Sequence, residues 1–267
     1  MKITMENNEA YSQAAVILPT YCEAENIAKL ISDVENTLKN PTILVIDDSS
    51  PDGTQEIVKS LKKTYKNLIL LTRPEKMGLG TAITDGFKLL LSQPRNDIKH
   101  IITMDADYSH SPKEIPKLLR KAEEGYDVVV GSRYCKGGNV EGWRINRLLI
   151  SKTANKIAHL ILKLPINDFT SGFRCYSKSY VQKAIRHLHS QTYEIQLETI
   201  RQAKMQNSKI AEVPITFSNR KSGKSKLTFN EILAFSAYIV KVLCENLSPL
   251  KERHAHHTIG NSPNHQN

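Results

Sequence analysis

The chain has 267 residues, with 37 Lys and Arg against 27 Asp and Glu, a formal net charge of +10 with histidines neutral. A composition of 40% apolar and 24% charged residues, with 12 Gly and 11 Pro, excludes collagen-like, mucin-like and wholly disordered chains, and the length suits one large domain or two small ones. The basic surplus points to an anionic partner, and by itself it admits nucleic acid, a nucleotide, a phospholipid surface or a phosphorylated substrate.

The N-terminal MKITMENNEAYSQ contains no apolar stretch of signal-peptide length, so secretion is not expected. Residues 1–13 read as a flexible N-terminus. Ala14 to Pro19 (AAVILP) is a continuous apolar run, the pattern of a strand covered on both faces. From Glu23 to Leu38, Ile27, Leu30, Ile31, Val34 and Leu38 recur at spacings of three and four, predicting an amphipathic helix. Thr42 to Asp47 reads as a second buried strand. Pro51-Asp52-Gly53-Thr54 supplies a turn and a cap for a helix carrying Ile57, Val58 and Leu61. Strands follow at Leu68–Leu71, Ile101–Met104 and Val128–Val130, with helices near Gly80–Leu91 and Pro112–Glu124. Gly78 and Gly80 in MGLGTAITDG read as a tight turn into the helix, because the Lys-[Ser/Thr] of a Walker loop is missing.

Beyond this point the pattern is less regular. A helix is predicted from Arg144 to Leu162, a loop with Asp168 and Ser171–Arg174, a helix near Tyr193–Met205, one strand over Ile210–Phe217, a basic loop Ser218–Lys226 and a helix from Phe229 to about Asn246. Within that last helix Ile232 to Cys244 spans roughly 20 Å, short of the ~30 Å hydrocarbon core, so it reads as packed on the sheet, or as an interfacial or partner-binding helix. The tail from Lys251 is polar and aperiodic, and 248–267 is expected to be disordered. Cys22, Cys135, Cys175 and Cys244 are widely separated and form no CxxC pair, which fits a reducing compartment. Strand and helix in alternation imply an α/β fold with a mostly parallel sheet, whose ligands collect beyond the carboxyl ends of the strands. One domain over 14–247 is expected.

Those strand ends carry the chemistry. In MDADYSH, Asp105 and Asp107 follow an apolar strand, and two carboxylates one residue apart can hold a hard divalent cation that also binds phosphate; such triplets also cap helices, and Ser111-Pro112 resembles a helix start. Asp47, Asp48 and Asp52 end the second strand, with Asp52 assigned a turn role and Asp47 or Asp48 left for a ligand. Tyr21 and Glu23 face the same crevice from the first strand, where Glu23 also suits a helix first turn. Arg133, Arg144, Arg147, Arg220, Lys221, Lys224 and Lys226 add positive charge, and Gly223 among the last cations suits a phosphate-clamping lid.

These blocks together resemble the GT-A (Rossmann-like), family 2 inverting glycosyltransferases, and more narrowly the catalytic subunits of dolichol-phosphate (polyprenol-phosphate) mannose synthases. The resemblance runs from Val16 to Val242 through LPTYCEAEN, VIDDSSPDGT, MGLGTA, MDADYSH, VVGSRY, GW with Arg147 and Ser151, DFTSGFR, EVPITF and Arg220 to Lys226. It implies mannose transfer from GDP-mannose to a polyprenyl (dolichyl) monophosphate with Mg2+ or Mn2+. Pro19, Tyr21, Glu23, Ile46 and Asp48 would hold the nucleotide, and Asp105, Ala106 and Asp107 the diphosphate and metal. Arg133, Arg220 and Lys226 would bind donor or acceptor phosphate, and Arg147 with Ser151 the acceptor. Asp105, Asp107, Arg133 and Arg220 would carry catalysis. Ser109 stands where some relatives use Gln as a metal ligand. The implied location is the cytoplasmic face of a membrane, reached peripherally through Ile232–Cys244 or through a small membrane-anchoring partner subunit. A polyprenyl-phosphate glucosyltransferase using a UDP-sugar is the alternative within the fold. A non-catalytic polyanion binder is the alternative outside it, although 6% aromatic residues and no nucleic-acid motif argue against nucleic acid.

Overall fold

The computed structural model describes residues 13–93, 97–219 and 229–247. The expected flexible N-terminus and tail lie outside these residues except for Gln13, whose carbonyl accepts hydrogen bonds from the amides of Lys99 and His100. The chain divides into two compact units, residues 1–226 and 227–267, where the sequence reading drew one domain over 14–247. The boundary falls at the end of Ser218–Lys226, a stretch without an apolar residue to extend a core.

The first unit is built on a seven-stranded sheet in the order β3-β2-β1-β4-β7-β5-β8. Its strands are β1 (Ala14–Thr20), β2 (Thr42–Asp47), β3 (Leu68–Thr72), β4 (His100–Thr103), β5 (Val128–Ser132), β7 (Arg174–Ser177) and β8 (Ile210–Pro214). Helices α1 (Ala24–Leu38), α2 (Thr54–Leu61), α3 (Leu79–Ser92) and α4 (Ile115–Glu123) follow the first four strands in turn, with a 3-10 turn Pro112–Glu114 leading into α4. Then come β6 (Asn139–Glu141), α5 (Ile145–Leu162), α6 (Lys178–Ala184), α7 (Ile195–Met205) and β9 (Thr216–Ser218). Helix α8 (Phe229–Leu247) is the described part of the second unit.

Period-two alternation assigns the two faces of β1. Val16 and Leu18 join Ile27, Leu30, Ile31 and Val34 of α1 in one core cluster. Ile17 points the other way: a β-carbon at Gly86 of α3 would lie 2.9 Å from Ile17 Cδ1 and 2.7 Å from Ile46 Cδ1, so glycine sets how closely α3 approaches the sheet. Both faces are therefore covered, as the unbroken apolar runs require.

Two elements depart from the sequence reading. β7 begins at Arg174, where the expected loop ends, and runs over residues to which the reading gave no element, inserted antiparallel between β4 and β5. It is only four residues long and opens on Arg174, which is wholly buried because its guanidinium donates to the carbonyls of Phe169, Ser171 and Gln196 and to Thr199 Oγ1. The strand expected over Ile210–Phe217 is two strands in different sheets. β8 pairs with β5 as far as Pro214, which has no N–H for a ladder, and β9 then pairs with β6. Short β6 and α6, absent from the reading above, lack periodicity long enough to read.

Candidate active site

The carboxyl ends of β1, β2 and β4 gather the acidic residues. Pro19 and Ile46 are register partners on β1 and β2, followed by Thr20 and Asp47. Asp47 is fully buried and occupied by its neighbours, accepting from Thr20 Oγ1, from the amide and hydroxyl of Ser50, and from Gln55. Its role is to hold the β2 turn. Asp52, as expected, shapes the turn: its carboxylate accepts from Ala24 N at the start of α1 and from the amide and hydroxyl of Thr54 at the start of α2. Glu23 is buried, with Oε2 accepting from Asn26 Nδ2 in the first turn of α1. The Tyr21 ring lies 4.9 Å from Lys76 Nζ.

Asp48 has a partner that sequence reasoning missed. Arg73, just past β3 and 4% exposed, pairs with Asp48 Oδ1 at 2.6 Å, while Asp48 Oδ2 accepts from Met77 N. Arg73 also donates to Thr81 Oγ1 and to the carbonyl of Gly78. It thus ties the end of β2 to the Gly78–Thr81 turn into α3. That turn bears out the reading of its glycines: Gly78 has φ +97°, and the Gly80 amide donates to Gln191 O at 2.9 Å. An arginine directly after an apolar strand was the available signal for Arg73.

The turn after β4 is held by short-range bonds. Asp107 is buried, and its Oδ1 accepts from the Ser109 amide at 3.0 Å and the Ser109 hydroxyl at 2.6 Å. Ser109 therefore directs its hydroxyl hydrogen at Asp107, leaving oxygen lone pairs. Ala106 is buried, whereas the Asp105 side chain is 36% exposed. Gly172, in the loop before β7, is packed against this carboxylate: a β-carbon there would lie 3.3 Å from Asp105 Oδ1 and 3.4 Å from Gln196 Nε2. Gln196, which the sequence reading passed over, is 3% exposed, and its Oε1 has no hydrogen-bond partner among the described residues. Nothing in its helical context marked it, because proximity to Asp105 arises only through β7.

At the end of β5, Arg133 meets Asp168 in a buried fork, with Nε to Oδ2 at 2.7 Å and Nη2 to Oδ1 at 2.8 Å. Burial alone would raise the Asp168 carboxyl, but the charge and hydrogen bonds of Arg133 outweigh it and hold the group below its ordinary value. The guanidinium carbon of Arg133 lies 5.4 Å from the Trp143 and Phe217 ring centres, and that of Arg147 lies 4.0 Å from Trp143. Ser151 Oγ accepts from Tyr134 OH at 2.7 Å. Arg133, Arg147 and Ser151, expected together from sequence, are thus gathered around Tyr134 and Trp143. Arg220 and Lys226 lie outside the described residues. A cavity of about 470 Å³ opens beside Arg133 and Tyr134, with Lys152 and Lys156 of α5 on its wall.

A mostly parallel sheet covered by helices, with an acidic turn at the end of β4 and stacked arginines beyond β5, defines a GT-A-type glycosyltransferase. Residues 15–185 match the family model described as glycosyl transferase family 2, and the chain belongs to that family. It is 36% identical over 219 residues to a protein of Mycolicibacterium smegmatis named polyprenol monophosphomannose synthase, covering 81% of this chain and 82% of that one. It is 37% identical over 235 residues to a Pyrococcus furiosus protein named dolichol-phosphate mannosyltransferase, covering 86% of this chain and 64% of the archaeal one. The matched part thus spans less than two thirds of that longer relative. Among solved structures, glucosyl-3-phosphoglycerate synthase from Mycobacterium tuberculosis, in complex with Mn2+, UDP and glucosyl-3-phosphoglycerate, superposes with a TM-score of 0.62 at 16% identity, over 90% of this chain and 82% of that one. The likeness to that solved structure concerns the fold alone.

Proposed function

We propose that the protein transfers mannose from GDP-mannose to a polyprenyl (dolichyl) monophosphate with inversion, releasing GDP and polyprenyl-phosphate mannose. The observation that carries this reading is the juxtaposition of an acidic turn with stacked arginines: the Arg133 guanidinium and the His110 ring of the acidic turn pack on the same Phe217 side chain. One end of the site suits a cation-bound diphosphate and the other an anionic acceptor. The names of the two relatives supply the sugar and the lipid.

Asp105 and Asp107 would hold the divalent cation, Mg2+ or Mn2+. The fit is to hard carboxylate oxygens at a strand end, and because no group of three or more acidic, His or Cys side chains gathers among the described residues, diphosphate and water oxygens would complete the coordination. When bound, such a cation neutralises the leaving diphosphate. The chain's own residues do the rest. Pro19, Tyr21, Glu23, Ile46 and Asp48 border the nucleotide crevice at the ends of β1 and β2. Arg133 and Arg147, with Ser151, would hold the acceptor phosphate in line with the anomeric carbon, offsetting repulsion between two anions. A phosphate monoester has its second pKa near 6, so the acceptor oxygen attacks without needing a general base. The new bond joins phosphate oxygen to the anomeric carbon as the bond to GDP breaks, and no proton need move. Arg220 and Lys226 are proposed to close on the phosphates.

We place the protein peripherally on the cytoplasmic face of a membrane. No described helix is long and apolar enough to cross one. Apart from the route proposed through Ile232–Cys244, α5 exposes Ile145, Leu149, Ile150 and Leu160, which supports contact with a lipid-bearing surface. A small membrane-anchoring partner remains part of the proposal. The test is a radiolabelled transfer assay offering GDP-mannose and UDP-glucose, each with a short polyprenyl phosphate. Labelled lipid from GDP-mannose is the expected product. Label from UDP-glucose alone would replace mannose by glucose, and specific DNA binding without either transfer would overturn the enzyme reading.

A further inference from the structure

His110 takes no part in the chemistry above, yet it is 1% exposed and belongs to the acidic turn itself. Its Nδ1 lies 3.2 Å from the Asp105 amide, which donates to it. A backbone N–H can donate only to an unprotonated ring nitrogen, so the bond assigns the neutral tautomer with its hydrogen on Nε2. That Nε2 has no partner among the described residues. The ring plane is set by packing instead: it stacks on Phe173 with centroids 5.1 Å apart at 24°, and meets Phe217 edge-on at 5.2 Å and 80°. Leaving a buried polar hydrogen unpaired is costly, which makes a purely space-filling role better served by an apolar side chain.

We infer that His110 is a positioning residue, whose Nδ1 lone pair fixes the Asp105 amide and so aims the first carboxylate of the acidic turn at the cation and diphosphate. The inference rests on the proposed reading of that turn. Asp105 carries the more exposed of the two carboxylates, and it lies two residues past the end of β4, whose last ladder pair with β7 is Thr103–Arg174. Past that pair, the His110 ring is a side-chain restraint on the Asp105 amide. The restraint is itself anchored on two elements, Phe173 before β7 and Phe217 in β9.

The test compares His110→Asn, whose side-chain oxygen can take the place of Nδ1, with His110→Leu, which keeps bulk and loses the acceptor. Mn2+ binding is read by electron paramagnetic resonance in the presence of saturating GDP, beside thermal unfolding without metal. His110→Leu is expected to bind Mn2+ about tenfold more weakly, and His110→Asn to recover to within about threefold of wild type. Equal Mn2+ affinity in the two variants, whether weakened or not, overturns the positioning role. Wild-type protein that binds no Mn2+ with GDP overturns the reading of the turn and this inference with it. Should neither variant fold, the long-range proton–nitrogen-15 spectrum of the wild-type ring decides: a bare Nδ1 supports the assignment, and a hydrogen on Nδ1 refutes it.

Discussion

At the acidic turn after β4, charged groups are held by residues close in sequence, whereas beyond β5 they are held by residues far away. Asp107 is fixed by Ser109, two positions on, while at the end of β2 the local bonds of Asp52 to Thr54 and of Asp47 to Ser50 are joined by longer ones from Ala24 and Thr20, and Asp48 pairs with Arg73. Arg133, by contrast, depends on Asp168, 35 positions later, and on Trp143 and Phe217. The helices differ in the same way. α1 buries every apolar position of its stripe, while α5 buries Ala158 and Leu162 but exposes Leu149, Ile150 and Leu160. One flank is a set of acidic strand ends braced by turns, and the other a surface assembled from distant segments around two stacked arginines.

The comparison can be tested by removing one acid from each flank. Asp107→Ala should reduce transfer by ~10²–10³-fold or more while circular dichroism shows a folded protein, because the turn it leaves is local. Full activity would remove Asp107 from the site. Asp168→Asn should instead be read in stability. It strands the buried Arg133 charge, at a cost of about 3–5 kcal/mol in denaturant unfolding. The sign of the pH dependence follows from the lowered carboxyl of Asp168: its contribution is present above the ordinary value of 3.8 and is lost as pH falls through the folded-state value. The gap between wild type and Asp168→Asn should therefore be widest near neutrality and close in acid, and a gap independent of pH would show that the pair is not the cause. The smallest effect is expected at the seam. Gly172→Ala places a methyl within 3.3 Å of Asp105 Oδ1 and should raise the donor KM severalfold with little change in melting temperature. Unchanged kinetics would show that the seam yields.

The β1, β2 and β4 flank was also the more legible one. β2 occupies Thr42–Asp47 as its apolar run predicts, and α1 follows the three-and-four spacing of Ile27 to Leu38. Asp105 and Asp107 could be read because they directly follow an apolar run. Arg73 and Asp168 could be seen but not assigned, since a charged residue in a loop is ordinarily solvated and only a buried partner gives it a role. β7 was hidden by its arginine, whose burial depends on carbonyls supplied by the 169–171 loop and α7.

Residue order alone determined the alternation of strand and helix, the acidic strand ends and the basic surplus, because periodicity and turn chemistry act over a few residues. Tertiary structure decided how that surplus is used. The antiparallel entry of β7 brings Gly172 to Asp105 and Asp168 to Arg133, and aromatic packing sets Arg133 and Arg147 on one indole. Such pairings depend on which chain segments meet across the sheet, and no local spacing encodes them.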